Sequence, residues 1–302
     1  MKILLTGASG LIGSRLTPHL QSLGHEVVRL VRRAPRGPDE HNWAPAAHML
    51  DAALLGDVDA VVNLSGASLA RLPWTRAYRE KLRQSRLAAT RTVTDAMALA
   101  GNAPRILVNA SAVGYYGDRP GLRLTEQAGR GSGFLADLAA DWEEAARLAP
   151  AGTRVVLLRT GLVVAAGGAV KPLAFLARAG LGGPIGTGGQ HWPWIGLEDE
   201  VRAIAHLVEG DLEGPVNLAG PTPATADEML RALAARLGRP YRLRLGTGLI
   251  GGLLGDAGRE LLLASQKVVP ARLLADGFSF AAPTVAEALA AAFEADGPAR
   301  DA

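Results

Sequence analysis

Three glycines at 7, 10 and 13, set between an apolar run and an amphipathic segment, constrain this chain more than any other feature. Residues 2 to 13 read Lys-Ile-Leu-Leu-Thr-Gly-Ala-Ser-Gly-Leu-Ile-Gly. Ile3 to Leu5 form an apolar run of strand character, and Leu11, Ile12, Leu16 and Leu20 then recur at helical spacing. Gly7 permits a tight turn out of the strand, Gly10 lets the backbone approach a pyrophosphate, and Gly13 lets helix and strand pack closely. The helix start offers free N–H groups and the positive end of its dipole to an anion. In this strand–turn–helix setting the spacing predicts a dinucleotide site built from Gly7, Ser9, Gly10, Leu11, Ile12 and Gly13. An ordinary βα turn is the competing use of the same glycines.

At 302 residues the chain is long for one core, which favours a large domain plus a smaller appendage. Its longest apolar stretches are about strand length, far below the roughly 20 residues of a spanning helix, so no membrane partner is expected. Thr6, Gly7 and Ser9 interrupt the first apolar run too early for a secretory leader, and a cytoplasmic protein is expected. With no cysteine there is no thiol nucleophile or zinc–thiolate site. The six histidines show no metal-ligand spacing, so no metal is expected, and His41 and His48 read as solvated in a proline-flanked loop. The net charge of +3 comes without a dense basic run, which disfavours nucleic acid as a partner.

Strands are expected at Glu26 to Val31, Val58 to Leu64, Arg105 to Ala110 and Arg154 to Leu158, and helices at Trp74 to Ala100 and Phe134 to Leu148. This alternation predicts an α/β protein with a doubly wound parallel sheet and its ligand at the carboxyl ends of the strands. From about Gly167 glycine-rich and proline-rich loops take over, so residues 1–166 read as the nucleotide domain and 167–302 as a smaller C-terminal substrate lobe. Residues 197–210 are expected to pack back on the first domain. Thr225 with Glu228 and Thr284 with Glu287 form two capping boxes. Gly248 to Gly255 lacks a β-α-β setting and reads as helix or loop packing. The tail after Phe293 is expected to fray.

A carboxylate at the end of the second strand would accept the ribose 2′-hydroxyl of NAD, whereas arginine suits the 2′-phosphate of NADP. This strand runs into Arg32-Arg33, with no acidic residue before Asp39, so NADP(H) is expected in preference to NAD(H), with Arg32 the stronger contact. A solvated basic turn is the alternative. Leu64, Ser65 and Gly66, after Asn63, end another strand and should lie beside the cofactor. Asn63 and Asn109 also begin glycosylation sequons, a reading that their strand-end positions disfavour.

Taken in order, these segments and Ser-Ala-Val-Gly-Tyr-Tyr-Gly at 111–117 resemble the extended short-chain dehydrogenase/reductase superfamily. The resemblance is closer to an atypical subgroup of epimerase-family NAD(P)-binding oxidoreductases, labelled in places cell-division-inhibitor-like or nucleoside-diphosphate-sugar epimerase. Its hallmarks stand here as Trp74-Thr75, Ser85-Arg86, Asp141-Trp142-Glu143-Glu144, Leu158-Arg159-Thr160-Gly161 and Trp194-Ile195. Leu261 to Pro270 and Gly277-Phe278-Ser279-Phe280 resemble the subgroup's own small C-terminal domain of unknown function, the last ~50 residues. The resemblance implies a Rossmann-type fold, a small-molecule substrate and, through the long helix at 74–100, a homodimer.

Superfamily chemistry rests on a tyrosine and a lysine four positions later, aided by a serine. No Tyr-x-x-x-Lys exists in this chain: Phe134 and Leu138 fall at the two positions, and Ala112 falls at the serine position beside Ser111. Ser111 with Tyr115 or Tyr116 are the substitutes to consider, Tyr116 also being readable as a packing residue. Glu126 is readable as an acid or a loop cap. Asp141, Glu143 and Glu144 read as a solvated helical face, and Asp199 as a helix cap. Arg159, His191, Trp192 and Trp194 are candidates for the substrate cleft; for the tryptophans inter-lobe packing is equally open. The leading expectation is an NADP(H)-dependent oxidoreductase or epimerase-like enzyme acting on a small, sugar-nucleotide-like molecule. The rival is a non-catalytic NADP(H)-binding sensor, related to cell division, that works through protein partners.

Overall fold

In the first strand, Ile3 and Leu5 point to one side and Leu4 to the other, and all three are fully buried. Burial on both faces requires helices above and below the sheet, and the chain supplies them. The computed structural model describes residues 1–294; the expectation for the tail after Phe293 otherwise falls outside these described residues.

Seven strands form one parallel sheet: β1 (Lys2–Thr6), β2 (Glu26–Val31), β3 (Glu40–Asn42), β4 (Ala60–Asn63), β5 (Ile106–Ala112), β6 (Arg154–Thr160) and β7 (Gly214–Leu218). Their spatial order is β7-β6-β5-β4-β1-β2-β3. The chain therefore reverses direction of winding between β1 and β4, where doubly wound sheets open a crevice for ligand.

Helices α1 (Gly13–Ser22) and α5 (Leu197–Glu209) cover one face, packing Leu16, Leu20, Ile204 and Leu207 onto Ile3, Leu5, Val62, Val108 and Val156. On the other face α2 (Arg76–Leu99) and α3 (Phe134–Ala146) bring Ala89, Val93, Met97 and Ala146 to Leu4, Val61, Leu107 and Leu157. Both sets follow from strand period 2 meeting helix period 3.6. Strand β3 lies in the stretch read as a proline-flanked loop. It carries His41, while His48 beyond it is exposed in a left-handed conformation (φ 52°).

The C-terminal lobe holds α4 (Val170–Arg178), α6 (Ala226–Arg236), α7 (Thr247–Gly258), α8 (Ala271–Ala275) and α9 (Val285–Ala292). Both capping boxes are formed, by Thr225 with Glu228 and by Thr284 with Glu287. The Gly248 to Gly255 segment lies in α7, which breaks at Gly255 and continues into a π turn over Arg259–Leu263. Beyond residue 166, α5, within the 197–210 segment, packs against the sheet, and β7 joins the sheet beside β6. Asp199 is no helix cap. It lies inside the first turn of α5 and accepts the Ala281 and Ala282 amides at 2.7 and 3.0 Å, clipping the C-terminal segment to the sheet domain.

Candidate functional site

The glycine loop leaves β1 at Gly7, whose φ of +74° is the left-handed turn expected there. A Cβ on Gly7 would meet the Leu64 carbonyl oxygen at 2.8 Å, so this loop and the loop after β4 touch across the switch point. A Cβ on Gly13 would lie 2.3 Å from the Gly7 oxygen, which is the close helix–strand approach read from the sequence. Gly10 meets only that same oxygen, at 3.2 Å, and Ser9, Gly10 and Leu11 are exposed. No side chain caps the start of α1; Ser14 donates its amide to Gly10, and Arg15 and Leu16 theirs to Ile12, so among the described residues it is the Leu11, Ile12 and Gly13 amides that remain available to an anion. These residues fit a dinucleotide.

A buried polar net fixes the floor of the crevice. The Thr6 hydroxyl donates to Asn63 Oδ1 at 2.6 Å, and the Ser65 hydroxyl donates to Thr6 at 2.8 Å. Asn63 Nδ2 donates to Asn109 Oδ1 at 2.7 Å and to Thr90 at 3.0 Å, and the Trp142 indole also donates to Thr90. Asn63 and Asn109 are fully buried, which removes both sequons. Arg33 forks onto Glu40 at 2.7 and 2.8 Å, and that ion pair holds the Glu40 carboxyl at about 2. Arg32 is exposed beside it. The two arginines are thus unequal: Arg33 is engaged in fixing the turn.

At the ends of β5 and β6 the chain buries a linked set of polar groups. Ser111 Oγ donates to Glu143 at 2.9 Å, and Arg159 Nε and Nη2 donate to the same carboxylate at 2.7 and 2.9 Å. Arg159 Nη1 reaches the Tyr116 oxygen at 3.0 Å, and Tyr116 donates to Asn217 Oδ1 at 2.6 Å. Burial pushes the Tyr116 hydroxyl up to about 12, despite the nearby cation. Tyr116 is a fully buried strut. Tyr115 is half-buried, with the Arg159 guanidinium 3.6 Å from its ring centroid. Arg159 is therefore committed to an internal carboxylate and does not stand free for substrate. Glu126, readable as an acid or a loop cap, is buried: its Oε1 accepts the Asn217 amide of β7 and the Arg272 amide of α8, and its Oε2 has no hydrogen-bond partner among the described residues.

Glu143 corrects the reading of a solvated face: it is 1% exposed. Asp141 and Glu144 do reach solvent, paired with Arg83 and Arg147. The missed signal was periodicity, since Glu143 falls between Ala139 and Ala146 on the apolar stripe of α3.

The positions of the absent pair are filled by packing. Leu138 is buried with Leu82 and Ala257, and Phe134 stacks edge-on against Trp74 at 5.7 Å. Glu260, from the π turn of the C-terminal lobe, accepts the Phe134 and Leu135 amides at 3.0 and 2.7 Å, capping α3 from another part of the fold. Nothing in the spacing of Glu260 announces this role.

Trp192 and Trp194 are buried, their indoles donating to the Leu262 and Thr222 carbonyls. They pack the lobe and do not form an open stacking surface. His191 is half-buried in a short antiparallel pair with Thr225, and burial, with Lys267 nearby, lowers its pKa. Among the described residues no group of three or more His, Asp or Glu could hold a metal, and no helix is long and apolar enough to cross a membrane.

Glu200 also escaped sequence reading. Thr160 donates to its Oε1 at 2.9 Å, its Oε2 is buried without a partner among the described residues, and burial raises its pKa from 4.5 to about 8. Between these values the folded state holds a proton that the unfolded state has lost, so stability falls as pH rises from about 4.5 to about 8. Glu200→Gln, neutral throughout, is expected to flatten this dependence and to be the more stable protein at pH 8, by on the order of a few kcal/mol. Urea midpoints at pH 5 and pH 8 check it. Parallel profiles for the two proteins would remove the assignment.

Residues 3–219 match the NAD dependent epimerase/dehydratase family, and residues 249–292 match a domain of unknown function, DUF1731. An epimerase family protein of Mycobacterium bovis is 43% identical over 290 residues, covering 95% of this chain and 96% of its own. The crystal structure of human epimerase family protein SDR39U1 with NADPH has a TM-score of 0.89 at 33% identity, covering 97% of this chain and 99% of that one. A nucleoside-diphosphate sugar epimerase structure from Corynebacterium glutamicum gives 0.79 at 32% identity, over 96% of this chain and 57% of its own. With its uncapped glycine-loop helix at the switch point, the chain belongs to the NAD dependent epimerase/dehydratase family.

Proposed function

We propose that this chain is an NADP(H)-dependent oxidoreductase of epimerase type, acting on a small, sugar-nucleotide-like molecule without the Tyr-x-x-x-Lys pair. The observation that carries the reading is that the parallel strands β1, β4, β5 and β6 are neighbours whose carboxyl ends lie together, which gathers the glycine loop, Ser65, Ser111 and the Tyr115–Arg159 pair. When bound, the cofactor supplies or accepts hydride at nicotinamide C4. The chain's own part is to bind and orient. Arg159, held by Glu143, sets a cation against the Tyr115 ring, and Tyr115 is the proton-carrying group we assign; Tyr116 is locked between Arg159 and Asn217. Stereospecific transfer of deuterium from C4-deuterated NADPH to a carbonyl or nucleotide-sugar compound, lost in Tyr115→Phe, tests this. Inertness across a broad panel would sink it.

The preference for NADP(H) draws on exposed Arg32 and on the human relative solved with NADPH. Arg32→Ala is expected to weaken NADPH binding about 10-fold or more while leaving NADH within about twofold, since a guanidinium–phosphate contact is lost and nothing else. Calorimetric titration of both proteins with both cofactors decides it; equal losses for the two would count against the assignment.

The packing of Phe134 and Leu138 favours a second reading, a cofactor-binding sensor that acts through partners. Partner capture that depends on the redox form of the cofactor, together with an inert substrate panel, would select it.

A further inference from the structure

Gln266 belongs to the segment that matches the domain of unknown function, and none of the chemistry assigned above uses it. It is buried where that segment meets the loop after β5. Its neighbours lace the two stretches of backbone together. Ser265 donates its amide to Asp118 at 2.8 Å, and its carbonyl accepts the Arg119 amide at 2.9 Å. Lys267 and Val268 then pair in parallel with Arg123 and Leu124. Asn217 Nδ2 donates to the Val269 carbonyl at 2.9 Å.

The Gln266 side chain reaches the tyrosine turn itself. Val113–Tyr116 form a 3₁₀ turn at the end of β5. Gln266 Nε2 donates to the Val113 carbonyl at 3.1 Å and to the Gly117 carbonyl at 2.8 Å, one on each side of the two tyrosines. Two carbonyls facing one group call for the two N–H bonds of a primary amide, which a hydroxyl cannot supply. The carbonyls between them are held otherwise: Gly117 donates to Gly114 at 3.0 Å, and Gly131 to Tyr115 at 2.9 Å. Both ends of the turn therefore depend on a side chain 153 and 149 residues away.

The two tyrosines differ in how much they need this clamp. Tyr116 is anchored at its own hydroxyl by Arg159 and Asn217. The Tyr115 hydroxyl has no hydrogen bond among the described residues, and its ring lies against the Arg159 guanidinium at 3.6 Å and edge-on to Tyr116 at 5.6 Å. The direction of that hydroxyl is thus set by the backbone beneath it. We propose that Gln266 is a positioning residue for Tyr115, and that clamping the tyrosine turn is the part this DUF1731 segment plays in the reaction. The proposal rests on the assignment of Tyr115 as the proton-carrying group.

The test reads the ring directly, by NMR of the full chain with isotopically labelled tyrosine. Each of the four tyrosines gives its own ring signals, and Tyr115→Phe identifies those of Tyr115. Gln266→Met keeps the length of the side chain and loses both donors, so the Tyr115 signals should move toward those of the unfolded chain while Tyr78 and Tyr241 stay in place. Leu273→Ala loosens the packing of the same domain away from the turn and should leave Tyr115 unmoved. Gln266→Glu adds a sign. At pH 8 the introduced carboxylate faces two carbonyls and displaces Tyr115; at pH 5, protonated, it donates to one of them and draws the signals back. On a compound that accepts deuterium from C4-deuterated NADPH, Gln266→Met should slow transfer about 10- to 100-fold, with NADPH affinity within about twofold. Unmoved Tyr115 signals in Gln266→Met, or an equal displacement in Leu273→Ala, would overturn the proposal. Where Gln266→Met does not fold, the pH response of Gln266→Glu decides, and a flat response overturns it. Full deuterium transfer by Tyr115→Phe would instead remove the assignment of Tyr115, a result separate from the ring signals of the Gln266 variants.

Discussion

Glu143→Ala is expected to destabilise the protein by about 3–5 kcal/mol, the cost of leaving a buried partner charge uncompensated. The carboxylate is the sole acid bonded to Arg159 among the described residues, through two contacts at 2.7 and 2.9 Å, and it also takes the Ser111 hydroxyl. Without it, Arg159 retains the Tyr116 oxygen and the Glu126 carbonyl, neither of them charged in the manner required. The same change should remove the geometry that sets the cation against Tyr115. Urea denaturation at pH 7 measures it, and a loss below about 1 kcal/mol would mean that Arg159 finds another partner. Adding Arg159→Met to Glu143→Ala should recover part of the loss, because no buried charge is then left uncompensated, while the space vacated at 143 stays unfilled.

Gly13→Ala should be nearly as damaging and in a different way. The added methyl would lie 2.3 Å from the Gly7 oxygen and 2.7 Å from the Ala8 Cα, both backbone atoms that cannot step aside as a flexible side chain would. Relief requires α1 to move off β1, which displaces the N–H groups at its start. We expect a stability loss of about 1–3 kcal/mol and a drop in NADPH affinity of about 100-fold, with thermal melts and calorimetry as the readouts. Native-like affinity in this variant would show that the helix start does not hold the cofactor.

The sheet was legible because its strands are short, apolar and separated by helices with clean periodicity. β1, β2, α2 and α3 lie where the pattern put them. The two capping boxes were legible for a related reason: their partners are three residues apart, and the geometry is local. The polar interior was not. Glu143, Asn217 and Glu200 sit in helices and strands where a polar letter ordinarily marks the wet side, and only the sheet topology brings Ser111 and Arg159 to the first of them and Tyr116 to the second. The burial of Arg159 and the two tryptophans is not legible in the sequence either, because it depends on what the C-terminal lobe covers. Glu260 could not be read at all, since its partners are 125 and 126 residues away.

That last residue has a wider consequence. The first two amides of α3 are satisfied by a carboxylate that arrives only when the C-terminal lobe is seated, so the helix carrying Trp142 and Glu143 begins in a different part of the chain from its own. Any movement that lifts the lobe unthreads the start of α3, and the Phe134 and Leu135 amide protons become exchangeable together. An opening of the lobe for the substrate proposed above would also loosen the helix behind Ser111, and exchange of these two protons would time both.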